Sequence, residues 1–282
     1  MNGYARLSHV KADVAGMSGV TDLDAVYVRQ VEEASREIDR LTGRHFYTRT
    51  ATRYYDGDGR SLLLTGDDLI GVTSLKVAAS QAAADAGTFA TTLTYGTDWQ
   101  FWPRNAADMD QPYRGIQLTD SGQQSAFEVG TGNIQIVGKF GYSEEWVNTG
   151  LTGTLASSST TALTTTTSAT GEVEQGDMLK LEDEQVEVES VNGTAVTLAA
   201  RGRNGTTAAA HSGVTVYLRR YPRPIEEATK LQVVRLRWSS QGGHQGAVLY
   251  GDEQDVNNRF QTALYPRIRD LVRGYRNPAA VL

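Results

Sequence analysis

A change of hydrophobic period along the chain limits the fold more than any other feature. Leu23, Val26, Tyr27, Val31, Ala34, Ile38 and Leu41 recur at spacings of three and four, which predicts a helix over residues 22–41 with one apolar face. Thr21 and Asp24 have capping-box spacing, Asp22 and Asp24 sit where the helix dipole favours anions, and Gly43 supplies a stop. From His45 to Tyr142 the helical period gives way to short β-prone runs divided by Gly and Asp turns, at 46–55, 61–64, 74–77, 115–118 and 133–140. These read as an antiparallel sheet packed on the first helix, with the small, polar segment 81–87 as an exposed loop. After Tyr221 the helical period returns. Pro222-Arg223-Pro224 opens a helix over 224–238, with Ile225, Ala228, Leu231, Val234 and Trp238 on one face, and Gly242-Gly243 breaks it. Pro266 marks the first turn of a short last helix, 266–273, ending near Gly274. Residues 1–20 show little period and read as an arm or loop ordered by a neighbour.

Between the sheet and the later helices the composition shifts abruptly. From Leu151 to Thr167 the chain is rich in Ser and Thr and nearly uncharged. Such a stretch suits either a flexible linker or strands. The β-prone runs downstream favour strands: 177–181, 185–191, 195–198 and 214–218, with an Asn192-Gly193 turn between two of them. The reading is a small all-β domain, 150–218, inserted into a discontinuous core of 1–149 and 219–282.

The 282 residues suffice for one large or two modest domains. No apolar run approaches the roughly 20 residues of a membrane-spanning helix, so no membrane partner is expected. The first residues lack a basic and an apolar signal region, which leads to the expectation of a protein made and kept in the cytoplasm. With no cysteine there is no disulfide framework, thiolate zinc site or cysteine nucleophile. A formal net charge of -6 argues against a general nucleic-acid binder. The charge is uneven: carboxylates crowd residues 172–189 and arginines come after Leu218. Each run is either a solvated face or a surface turned to a different partner.

The residue patterns offer little catalytic chemistry. His9, His45, His211 and His244 are scattered, with no pairing at metal spacing. Asp56-Gly57-Asp58-Gly59 begins like a calcium loop, but Arg60 and Ser61 replace a ligand and the required glycine, which leaves a tight turn. Neither a phosphate-cradling glycine loop nor a nucleophile elbow appears. Trp99, Phe101, Trp102 and Tyr113 form either a sugar-stacking platform or a packing cluster. No nucleophile, base and orienter can be named together, so the sequence predicts no enzyme, no catalytic residue, no cofactor and no metal.

Several segments read in order carry a resemblance. They are Ala34-Ser-Arg-Glu-Ile-Asp-Arg-Leu-Thr-Gly-Arg-His-Phe-Tyr47, Ala51-Thr-Arg-Tyr-Tyr-Asp-Gly57, Leu62 to Lys76, Thr97-Asp-Trp-Gln-Phe-Trp-Pro-Arg-Asn105, Val137-Gly-Lys-Phe-Gly-Tyr142 and Asp270-Leu-Val-Arg-Gly-Tyr-Arg276. In that order they resemble the head-tail adaptor (head-completion, connector) proteins of long-tailed bacteriophages, across most of residues 22–142 and 222–276. The segments Glu184-Gln-Val-Glu-Val188, Asn192-Gly-Thr194 and Arg201 to His211 look like a small β-module that recurs in phage structural proteins. The fold class this implies is α+β, a helical adaptor core with an antiparallel β-sheet plus an inserted small all-β domain.

The resemblance further implies a structural virion protein at the neck. It would form a homo-oligomeric, dodecameric ring that docks under the portal protein and connects capsid to tail. A tail-completion or tail-terminator protein would be the next partner, and viral DNA would pass through the channel without sequence-specific binding. Contacts in such a ring are head-to-tail and closed. The apolar tail, with Tyr275, Arg276, Asn277, Pro278, Val281 and Leu282, is the expected portal-docking segment, and Arg235 and Arg237 the expected channel or subunit-interface residues. The alternatives are another neck component, such as a tail-completion protein, or a carbohydrate-binding β protein.

Overall fold

The computed structural model describes residues 2–13, 19, 21–245 and 264–277, with 238–245 as backbone only. The chain divides into two compact units. Residues 44–144 form one, and residues 1–43 with 145–277 the other, so that the second β region belongs with the helices.

The 44–144 unit is a curled antiparallel sheet. Its strands β1 (Arg49–Gly57), β2 (Leu62–Val77), β3 (Thr91–Leu93), β4 (Trp99–Trp102), β5 (Tyr113–Leu118) and β6 (Gly130–Phe140) run in the order β1-β6-β2-β5-β4, with β3 beside β2. Strand β2 pairs with β5 through its first half and with β6 through its second, so the sheet rolls at the irregularity between Leu64 and Leu69. The concave face closes on Leu63, Leu69, Leu75, Trp99, Ile116, Phe127, Ile134, Ile136 and Phe140. Two separate strands were expected at 61–64 and 74–77; they are the ends of β2. The segment expected as a loop at 81–87 contains a short helix, α3 (Gln81–Asp85), whose Ser80 hydroxyl accepts the Ala83 amide at 3.2 Å.

In the other unit, β7 (Glu145–Leu155), β8 (Ala162–Thr165), β9 (Met178–Leu181), β10 (Glu184–Asn192), β11 (Ala195–Ala200) and β12 (His211–Arg220) close into a six-stranded barrel, β10-β11-β8-β7-β12-β9. Alternation sends Leu151, Leu155, Leu163, Leu179, Leu181, Val186, Val188, Val196, Leu198, Val216 and Leu218 inward. Branched aliphatic side chains of this size fill a narrow barrel, and burying each contributes about 1.5–3 kcal/mol. There is no room to spare: a Cβ on Gly153 would meet Leu163 Cδ1 at 2.8 Å and Val216 Cγ2 at 3.0 Å. The Ser/Thr-rich segment therefore supplies strands. The barrel also exceeds the expected insert, because Glu145–Asn148 pair with Tyr217–Arg220.

Among the described residues four helices accompany the barrel in this unit: α1 (Leu7–Asp13), α2 (Asp24–Thr42), α4 (Arg223–Gln245) and α5 (residues 264–272). Leu7, Val10, Tyr27, Val31, Ala34 and Val233 make the core shared by α1, α2 and α4. Gly43, at φ +66°, ends α2 by donating its amide to Asp39 O at 2.8 Å. The predicted capping box does not form. Leu23 holds the N-cap without a side-chain bond, and Asp24 binds Lys11 Nζ at 2.7 Å instead. The expected N-terminal arm is ordered by its own chain as α1. The glycines at 242 and 243 do not interrupt α4. The predicted last helix, 266–273, coincides with α5 and an adjoining 3-10 turn, Arg273–Tyr275.

The expected fold class is corrected by this architecture. Among the described residues strand outweighs helix, 39% against 26%, and a closed barrel and a curled sheet make up the bulk of the chain. The core is β, not helical. No described helix is long and apolar enough to cross a membrane.

Candidate functional site

The densest charge chemistry lies at one end of the barrel. The short turn from β9 to β10 and the loop from β11 to β12 bring Glu184, Arg201 and His211 together, far apart though they are in sequence. Glu184, 1% exposed, receives Arg201 Nε on one carboxylate oxygen and Arg201 Nη2 on the other, both at 2.7 Å. The Gly202 and Ala209 amides add donors at 3.0 Å each, and His211 Nε2 lies 2.8 Å away. Burial pushes this carboxyl up, but the Arg201 fork, the amides and His211 outweigh it and hold the pKa down to about 2. The remaining Arg201 donors reach the carbonyls of Ser157, Thr160 and Ala209. His211 Nδ1 faces Glu182 at 2.8 Å. Glu184, Arg201 and His211 are each bound by neighbours on the chain, so the cluster pins the 201–211 loop, with Glu182 at its exposed edge.

A second buried carboxylate anchors the N-terminal segment. Asp177 meets Arg6 Nη2 at 3.0 Å and the Glu174 amide at 2.9 Å, while the Glu174 carboxylate stands beside it on Arg6 Nε at 3.2 Å. Burial is the main cause of its rise to about 6, with Glu174 adding to it against the pull of Arg6. Tyr4, almost fully buried, donates to Asp39 Oδ1 at 2.5 Å and packs on Tyr221.

The residues singled out from the sequence fall in several places. Arg235 lies over the Tyr265 ring at 5.0 Å and Arg237 over Tyr27 at 5.3 Å, both half-buried on aromatic faces of their own unit. In the tail, Tyr275 is half-buried, Arg276 exposed and Asn277 buried. The Asn277 amide donates to Thr42 O at 2.7 Å, satisfying a terminal carbonyl of α2. Pro278, Val281 and Leu282 lie outside the described residues. The aromatic group packs rather than forming a platform: Trp99 is buried with Nε1 on Leu93 O, and Phe101 stacks on Tyr113 at 4.2 Å. Phe101 and Tyr113 are half-buried, and Tyr95, 61% exposed, and Trp102 lie at the surface there. In the 56–59 turn, Asp56 accepts the Gly132 amide at 2.6 Å and Asp58 that of Arg60 at 3.0 Å. Among the described residues no three His, Asp or Glu side chains are placed to share a metal ion.

Sequence reasoning passed over the outer face of α5. Leu264, Ile268 and Val272, spaced by four, are buried, which turns Arg267, Arg269, Asp270 and Arg273 to the surface. The spacing of those three apolar residues was the available signal.

Comparison with protein-family models, with curated proteins and with solved structures finds no match.

Proposed function

We propose that the chain is a structural subunit of a bacteriophage neck, one copy in a closed head-to-tail ring that docks under the portal, continues the DNA channel and receives a tail-completion or tail-terminator protein. The ordered resemblance of the sequence supports a location in the virion. The supporting observation in the structure is where the side chains are spent. Buried charges are committed to internal clusters at Glu184–Arg201, Asp177–Arg6 and Arg44–Asp68, whereas the sheet unit turns Tyr54, Leu64, Tyr95, Met109 and Val129 outward, each more than half exposed. Exposed singly, such side chains are ordinary; in a ring they would be available to pack against neighbouring chains. The subunit would be built on β units, not on a helical core.

Purified chain mixed with its portal tests this reading. Rings near twelve times the 30.6 kDa of one chain, seen by mass photometry or negative stain, are expected. A monomer that leaves the portal bare would overturn it. For the tail, the informative truncation removes 278–282 and leaves the Asn277 bond to Thr42 in place. Portal binding should fall while thermal stability holds, and unchanged binding would remove the docking role.

A further inference from the structure

We infer that the exposed arginine face of α5 and the turn after it binds the phosphate backbone of duplex DNA without reading its sequence. This deepens the neck reading, on which it rests for the presence of DNA. Within the ten residues 267–276 there are four arginines and a single carboxylate, Asp270, in a chain whose net charge is -6. The buried stripe Leu264, Ile268 and Val272 fixes the helix's rotation, so Arg267, Arg269 and Arg273 cannot turn inward. Tyr265 holds Arg235 against the same helix, adding a half-buried cation beside the exposed ones.

Several other arginines of the chain are already paired. Arg6, Arg36, Arg40, Arg44, Arg53, Arg60, Arg201 and Arg203 each sit against a carboxylate. Among the described residues Arg267, Arg269 and Arg273 have no such partner. The helix dipole favours cations near its C-terminal end by about 0.3–1 kcal/mol, which accounts in part for Arg269 and Arg273. It does not reach Arg267, and it leaves Arg269 and Arg273, four residues apart, repelling one another. A row of phosphates removes that repulsion and matches the guanidinium fork in pairs. Phosphate contact needs only a local basic face, so the acidic net charge limits the binding to this surface.

Fluorescence anisotropy of the full chain with a 30-base-pair duplex of arbitrary sequence tests the proposal. Between 50 and 200 mM salt the affinity of the native chain should fall steeply. Substituting Arg267→Gln, Arg269→Gln and Arg273→Gln together should lower the slope of log K against log salt by roughly 2.7, about forty-fold less salt sensitivity over that range. The matching lysine triple should recover most of the binding, and circular dichroism should show all three proteins folded. No binding by the native chain at 50 mM salt would overturn the proposal, and so would an unchanged slope in the glutamine triple. If the glutamine triple kept its DNA affinity but lost the portal, the face would belong to a protein partner and the DNA assignment would fall. DNA binding that tracks the arginines while no ring forms on the portal would sink the neck reading and leave this one standing.

Discussion

Glu184 and Asp177 are both buried carboxylates with an arginine within 3 Å, yet their protonation is driven in opposite directions. Glu184 is held down to about 2 and Asp177 raised to about 6. The difference lies in donors. Glu184 takes both arms of Arg201, two backbone amides and His211, whereas Asp177 has one arm of Arg6, one amide and a second carboxylate, Glu174, sharing the same arginine. Burial alone raises a carboxyl, and only a full set of donors aimed at the charged form reverses that. The barrel end is therefore a saturated lock, and the α1 anchor a partly compensated one.

The largest effect should come from emptying the saturated lock. Arg201→Met leaves Glu184 buried with His211 and two amides, which should cost about 3–5 kcal/mol in urea unfolding. A cost under about 1 kcal/mol would mean that the lock contributes little to the barrel. Arg6→Met is expected to cost less, about 1–3 kcal/mol, because Asp177 can take up a proton and Glu174 keeps the Ser8 amide and hydroxyl. If the two substitutions cost the same, counting donors does not explain the contrast.

The pH dependence separates the two groups by sign. Glu184's folded pKa lies below its ordinary 4.5, so its contribution is present above that value and is lost as pH falls toward about 2. Asp177's lies above its ordinary 3.8, so its contribution is full below that value and is lost as pH rises through about 6. Unfolding should accordingly show Asp177→Asn gaining on the native chain between pH 4 and 7, and Glu184→Gln gaining as pH drops from 5 to 3. Parallel trends for the two variants would contradict the assignment.

The same contrast explains what was legible in the sequence. Helix α2 and strand β6 can be read from local period, since Val31, Ala34 and Ile38, or Ile134 and Ile136, reveal their buried face unaided. The acidic run 172–189 reads as solvated, and Glu172, Glu182, Asp183 and Glu189 are exposed. Asp177, Glu184 and Glu187 in that run are buried, because Arg6, Arg201 and Arg203 meet them from distant segments. Local pattern cannot register such partners. The ordering of α1 escaped for the same reason: its seven residues bury only Leu7 and Val10, and its other anchors are ionic and far away. Barrel closure was hidden at Trp146, which lies between Lys180 and Arg219 rather than in the sheet unit that precedes it. On the candidate surface, the arginines of α5 were visible as residues, but their outward direction depends on Leu264, Ile268 and Val272, whose spacing of four was the signal passed over.

The smallest effect probes whether the two anchors act together. Asn2 and Asn204 exchange side-chain amide bonds at 2.9 Å in both directions, and Asn204 also donates to Gln185 at 2.7 Å. Asn204 lies on the 201–211 loop that Arg201 pins to Glu184, and Asn2 precedes the Arg6 anchor by four residues. Asn2→Ala should cost about 1 kcal/mol in the native background. In an Arg201→Met background the loop loses its main tether, Asn204 no longer holds a fixed position, and the same substitution should cost close to nothing. A double-mutant cycle with a coupling energy near that of the single change ties the N-terminal segment to the barrel lock. Strict additivity would show two independent anchors, with the loop held by Glu184 alone.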